Sequence, residues 1–141
     1  MSEAAFLDLG EKITRSLMTG DFGLYRAQFR LPLTVVPRSA PGYVLADEAA
    51  LSRDFDLYLI ALRTEEITDI VRRVRALSLP RPTEMEVDCE VNILRRAERV
   101  VSPFLSRFSL TRTGTDWQVH RIESALGHIR WTLGEGRLDD I

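Results

Sequence analysis

The sequence predicts an α+β fold in which N-terminal helices cover a mainly antiparallel sheet. Three observations carry that expectation. Residues 84–126 read as three strand-like runs in succession, joined by connections too short to hold a helix. The residues before them space their apolar side chains with helical periodicity. Apolar residues also fall on both parities of the first long strand, so the sheet requires a cover.

The first helix is expected from about Glu3 to Met18, with Ser2 as its cap. Phe6, Leu9, Ile13 and Leu17 recur at intervals of three and four, which marks one buried stripe. Gly20 ends it, because glycine accepts the left-handed backbone common at helix termini. Asp21 offers a carboxylate to the amides of a second, shorter helix, Phe22 to Phe29, which Pro32 stops. Leu33 to Val36 is a short strand with Pro37 at its end. A turn over Arg38 to Gly42 leads to a returning strand, Tyr43-Val44-Leu45. Asp47 caps a third helix, from about Glu48 to Arg63, with the stripe Leu51, Phe55, Tyr58, Leu59 and Leu62. Leu57 and Ile60 lie off that stripe.

Thr68 to Leu79 is the first long strand, ended by Pro80-Arg81-Pro82. Its Ile70, Val74 and Ala76 share one parity and Val71, Leu77 and Leu79 the other, as expected if both faces are covered. Met85, Val87, Cys89, Val91 and Ile93 then alternate with Glu86, Asp88, Glu90 and Asn92. Phe104, Ser106, Phe108 and Leu110 alternate with Leu105, Arg107, Ser109 and Thr111. The last run, Trp117 to Leu126, follows a Thr113-Gly114-Thr115-Asp116 turn. Residues 1–133 read as a single domain, His128 to Leu133 as a further short strand or a packed segment, and 134–141 as a polar tail.

Composition bounds the function. A chain of 141 residues with 45% hydrophobic and 28% charged residues has the profile of one globular domain. Its net charge of −2 argues against general nucleic-acid binding, which needs a basic surface. No apolar run approaches the ~20 residues that span a bilayer, so no membrane association is expected. The N-terminus carries acid where a secretory signal carries base, and a cytoplasmic location is expected. Cys89 is the single cysteine, which excludes an internal disulfide, and it falls on the apolar side of its strand. Of the 19 basic residues only Lys12 is a lysine. Arginine suits two-point pairing with carboxylates, and alternation sends Arg72 to one sheet face and Arg73 and Arg75 to the other.

Three segments carry a family resemblance: Gly20-Asp21-Phe22-Gly23-Leu24-Tyr25 leading to Leu31-Pro32, then Asp47-Glu48-Ala49-Ala50-Leu51, then Trp117 to Ser124. With the order of elements, they resemble bacterial members of the nuclear transport factor 2-like superfamily, which includes the SnoaL-like polyketide cyclases. The resemblance covers nearly the whole chain. It implies a curved sheet wrapped around the helices, a cystatin-like α+β cone with a pocket at its open end. It also implies a homodimer through the outer sheet face. From the residues themselves, arginines are expected to pair there with Glu86, Asp88 or Glu90.

The superfamily holds isomerases, dehydratases, hydrolases, cyclases and non-catalytic modules, so fold alone assigns no reaction. The residues considered for the pocket are His120, Tyr25, Tyr58, Trp131, Arg121 and Glu123. His120 lies mid-strand and could act as a general base; its plainer role is a hydrogen bond to backbone or solvent. Arg121 and Glu123 share the opposite parity and could grip a polar ligand or simply pair. The aromatics have an apolar body and a polar edge, which suits a cavity border as well as a core. Asp54 and Asp56 are expected on the solvated side of their helix, and Asp88 on a charged sheet face. No phosphate loop, nucleophile elbow or metal-ligand spacing is present, so no cofactor and no metal are expected. Two readings stay open. One is a pocket protein for a small hydrophobic ligand, with acid–base chemistry of the isomerase, dehydratase or cyclase type. The other is a non-catalytic dimeric module that binds a ligand or a protein.

Overall fold

The computed structural model describes residues 2–37 and 41–125, with backbone alone for Ser124 and Ala125. Three helices, α1 (Ser2–Thr19), α2 (Phe22–Ala27) and α3 (Glu48–Thr64), accompany seven strands. The strands are β1 (Phe29–Pro37), β2 (Tyr43–Leu45), β3 (Asp69–Arg81), β4 (Glu84–Arg95), β5 (Glu98–Arg99), β6 (Phe104–Thr113) and β7 (Asp116–Ala125). They form one sheet in the order β2-β1-β7-β6-β4-β3, with β5 paired to β4. Every pairing is antiparallel except β1 with β7, which is parallel. The fold is thus α+β with a mixed, mostly antiparallel curved sheet. Trp131, His128 and the segment 134–141 lie outside the described residues, as does part of the turn after Pro37.

Local chemistry sets the helices where the spacing requires. Phe6, Leu9 and Ile13 of α1 are buried, and Leu17 packs against the core in part. Gly20 adopts φ +75°, the left-handed geometry that ends the helix. The Asp21 carboxylate accepts from Leu24 N at 3.1 Å, and that of Asp47 from Ala50 N at 2.8 Å. Both N-termini are therefore capped by the residues whose type called for it.

The second helix is shorter than its spacing suggests, ending at Ala27 rather than Phe29. Competition from the sheet explains the difference. Val119 N donates to Gln28 O at 2.9 Å, and Phe29 enters register with Val119, so β7 claims the chain there. Pro32 accordingly stops no helix. It sits inside β1, in the gap between the Phe29 and Thr34 pairings, where a missing N–H removes no ladder bond.

The inner sheet face is the core. Met85, Val87, Cys89 and Leu110 are fully buried, as is Val119. α1 and α3 lie over them, and Phe6 meets the Phe108 ring edge-on at 5.4 Å. Two bulges alter the alternation. Val74 pairs with Cys89 and Ala76 with Asp88, so Arg75 is the extra residue in β3. Beyond it Leu77 turns inward while Ala76 does not. The apolar residues on both parities of β3 therefore do not mean two covers. The bulge accounts for Leu77, and Val71 and Leu79 remain exposed on this edge strand. No helix among the described residues is long and apolar enough to cross a membrane.

Two expected outcomes test this packing. Leu110→Ala should cost about 3 kcal/mol in urea unfolding, within the range for a buried leucine. Ile60→Ala, at an exposed position of α3, should cost less than about 1 kcal/mol; equal losses would contradict the assigned burial. Burial pushes the Cys89 thiol up to about 11, with the Arg72 charge opposing. At pH 8 it is therefore protonated, and a thiol reagent should modify the native protein roughly a hundredfold more slowly than the unfolded chain. Comparable rates would contradict its burial.

Candidate functional site

Between the inner sheet face and the three helices lies a cavity of about 110 Å³. Its walls are mostly apolar, with Phe29, Phe104, Phe108 and Ile122 among them. Among the described residues, five polar side chains interrupt them: Tyr25 from α2, Asp54 and Tyr58 from α3, Arg72 from β3 and Ser106 from β6. Each arrives there for a local reason. Asp54 and Tyr58 are four apart on α3, hence on one helical face. Arg72 pairs in register with Val91, whose parity faces inward. Ser106 shares the inward row of β6 with Phe104 and Phe108.

Tyr25 is fixed by its rings as much as by its helix. Its centroid lies 4.6 Å from that of Phe29 and 4.6 Å from that of Phe55, and Phe22 packs on Phe55 at 5.5 Å. Arg72 is fixed by α1: Nη1 donates to Gly10 O at 2.9 Å and to Thr14 Oγ1 at 2.7 Å. Gly10 permits the approach, since a Cβ there would stand 3.2 Å from Arg72 Cδ.

The electrostatics follow from burial. Burial raises the Tyr25 phenol far above the ordinary tyrosine range; the Asp54 charge adds to this and the Arg72 charge opposes it. Tyr58 is raised for the same leading reason, with the neighbouring Tyr43, Asp54 and Tyr25 contributing. Tyr43 of β2 is raised as well, first by burial and then by Asp54. Its buried hydroxyl makes no hydrogen bond of good geometry, although the Tyr58 hydroxyl is close enough to influence it. All three phenols are thus neutral hydrogen-bond donors across the physiological range. Burial lowers the proton affinity of Arg72, yet a guanidinium keeps its proton at neutral pH.

The structure brings together two of the residues singled out from sequence, Tyr25 and Tyr58. His120, Arg121 and Glu123 are not in the described lining. Val119 and Ile122 take the inward positions of β7, facing Leu110 and Phe108. His120 has no partner in the ladder: it is the extra residue of a bulge, beside Arg121, which opposes outward-facing Ser109. Burial lowers its pKa, opposed by Glu84 and assisted by Arg30 and Arg121, groups outside the cavity. Arg121 and Glu123 pair with each other on the outer face at 3.4 Å.

Asp54 is the residue that sequence reasoning missed. It is 6% exposed rather than solvated, whereas Asp56 is exposed as expected. The signal was present, since Asp54 stands three residues after Leu51 and four before Tyr58, inside the arc that the apolar stripe defines. Alternation separates Arg72 from Arg73 and Arg75 without saying which face is the inner one, and it does not point to a cavity. Among the described residues no group of three or more His, Cys, Asp or Glu is placed to hold a metal ion.

No family model matches the chain, and no curated protein matches it either. Solved structures do. A Nostoc punctiforme domain of unknown function with a cystatin-like fold superposes at TM-score 0.64, with 12% identity over 93% of this chain and 82% of that one. A nuclear transport factor 2-like protein of unknown function from Shewanella oneidensis gives 0.63, with 9% identity over 87% and 98%. A candidate dehydratase of the nuclear transport factor 2-like family from Streptomyces avermitilis gives 0.62, with 14% identity over 86% and 94%. Identities this low speak to architecture alone, and the architecture is plain: the chain has the nuclear transport factor 2-like, cystatin-like α+β cone fold.

Proposed function

We propose that this is a small-molecule-pocket protein that performs acid–base chemistry on a small, largely apolar substrate, of the isomerase, dehydratase or cyclase type. The observation that carries the reading is the Asp54 carboxyl group, buried in the wall of an apolar cavity beside neutral phenols. In that role Asp54 takes a proton from carbon or oxygen. Tyr25 and Tyr58 donate hydrogen bonds to the oxygen on which charge develops. The likeness to a candidate dehydratase lends support at the level of fold. A non-catalytic module would be favoured by a lining without polar groups; five polar side chains border this cavity. A cytoplasmic setting is part of the proposal, and the buried thiol of Cys89 is compatible with it.

We further propose a homodimer through the outer sheet face. Four of its charged residues are already paired within the chain: Arg75 with Glu90 at 2.6 Å and Arg107 with Asp88 at 2.8 Å. A contact there would therefore be carried by Val71 and Leu105, 37% and 59% exposed on that face, with the ion pairs at its rim.

The chemistry is tested with a generic carbon acid. Deuterium uptake from D₂O into the α-positions of cyclohexanone, followed by proton NMR, should be accelerated by the wild-type protein. Asp54→Asn should lower that acceleration by about 10²–10⁴-fold while leaving the circular dichroism spectrum unchanged. A wild-type rate equal to buffer, or an undiminished rate in the variant, would remove Asp54 from the chemistry. For the assembly, light scattering at micromolar concentration should give twice the chain mass, and Leu105→Arg should shift it toward the monomer. A wild-type monomer at those concentrations would refute the interface.

A further inference from the structure

We infer that the cavity takes a small apolar carboxylic acid whose carboxylate is held by Arg72 at the β3 end. The inference rests on the pocket reading above and deepens it by naming the ligand class. Arg72 lines the cavity, and its Nη1 is fully engaged by two neutral acceptors, Gly10 O and Thr14 Oγ1. Among the described residues the ion pairs involve other side chains, and no carboxylate pairs with this guanidinium. Arg72 is half-buried, its hydrogen bonds go to neutral acceptors, and Asp69 acts on it without forming an ion pair. A cation so placed keeps part of its desolvation cost, which a counter-charge offsets. The donors left over, Nε and Nη2, form one planar edge of the guanidinium, and that edge matches the two oxygens of a carboxylate.

The rest of the cavity fixes the remainder of the ligand. Asp54, on α3, repels a second negative group, so a monoanion is favoured over a diacid. Tyr25 lines the same cavity and feels both charges, its phenol raised by Asp54 and lowered by Arg72. A ligand anchored on Arg72 thus presents its uncharged body to Tyr25 and Asp54. The volume of about 110 Å³ sets the size. An apolar cavity of ~150 Å³ holds benzene, so the body is about one ring or a short branched chain. A groove between α1 and β3, lined by Leu7, Glu11, Thr14, Asp69, Ile70 and Arg72 among others, shares its last two named residues with the cavity.

Isothermal titration at pH 7 with benzoate and its neutral isostere benzamide tests this. The wild-type protein should bind benzoate saturably and at least about tenfold more tightly than benzamide, a difference of one decade in Kd. Arg72→Met should abolish that preference while leaving benzamide affinity within about threefold, and Arg72→Lys should retain part of it as a point charge. Equal affinities in the wild-type protein, no saturable benzoate binding up to about 10 mM, or a preference that survives Arg72→Met would each overturn the assignment. Where Arg72→Met fails to fold by circular dichroism, the wild-type comparison alone decides. Benzoate preference without cyclohexanone exchange would reject the Asp54 chemistry and keep the anion site; exchange without the preference would do the reverse.

Discussion

The fold depends on getting one face of β4 and β6 out of water. Met85, Val87, Cys89 and Leu110 project from adjacent strands toward the same side, and none retains measurable exposure. A sheet with so uniform an inner face is unstable alone and must be roofed, which is what α1 and α3 supply through Phe6, Leu9, Ile13, Leu51 and Phe55. Each such side chain contributes about 1.5–3 kcal/mol when fully buried. The outer face carries Glu86, Asp88 and Glu90 at the alternate positions, so a register slip by one residue would exchange the two sets entirely.

Against that requirement the cavity is an anomaly with a cost. Space of about 110 Å³ left unfilled forfeits the packing contacts that side chains would make there. Placing a half-buried arginine and a buried aspartate in its walls adds desolvation of charge. A chain selected for stability alone would fill the space with leucine. The sheet instead accommodates it through curvature: the bulges at Arg75 and His120 add a residue to one strand of a pair and bend it. Strain of another kind is spent at the β4–β5 turn, where Arg96 and Ala97 hold φ of 50° and 71° without a glycine. That turn brings Arg99 over Asn92 at 3.0 Å and covers the outer face at one end.

Much of this was legible in the letters, and the parts that were not share a cause. Periodicity resolved α1, α3 and the alternation of β4 and β6, because each rests on a local repeat of 3.6 or 2. Aspartate before a helical run located the starts of α2 and α3. Pairing between distant segments left no such trace. The parallel contact of β1 with β7 joins residues some ninety positions apart, and it decides both the end of α2 and the location of Pro32 within a strand. Bulges are equally silent in sequence, and one of them turns His120 away from the cavity that alternation could have given it. Asp54 was hidden for the opposite reason. Its position in the apolar arc was readable, but its residue type argued for solvent, and such a conflict between pattern and chemistry marks a site rather than an error.

That conflict also orients the cavity. Asp54 comes from the helical roof and Arg72 from the sheet floor, so the two side chains reach the cavity from different layers. Under the proposed reading they would give an apolar space a negative and a positive end. A ligand with one charged and one uncharged end would be aligned there before any chemistry, and positioning of that kind lowers a barrier through orientation alone. Two hydrogen bonds from Nη1, to Gly10 O and Thr14 Oγ1, hold the Arg72 guanidinium against α1 and so fix one wall of the cavity.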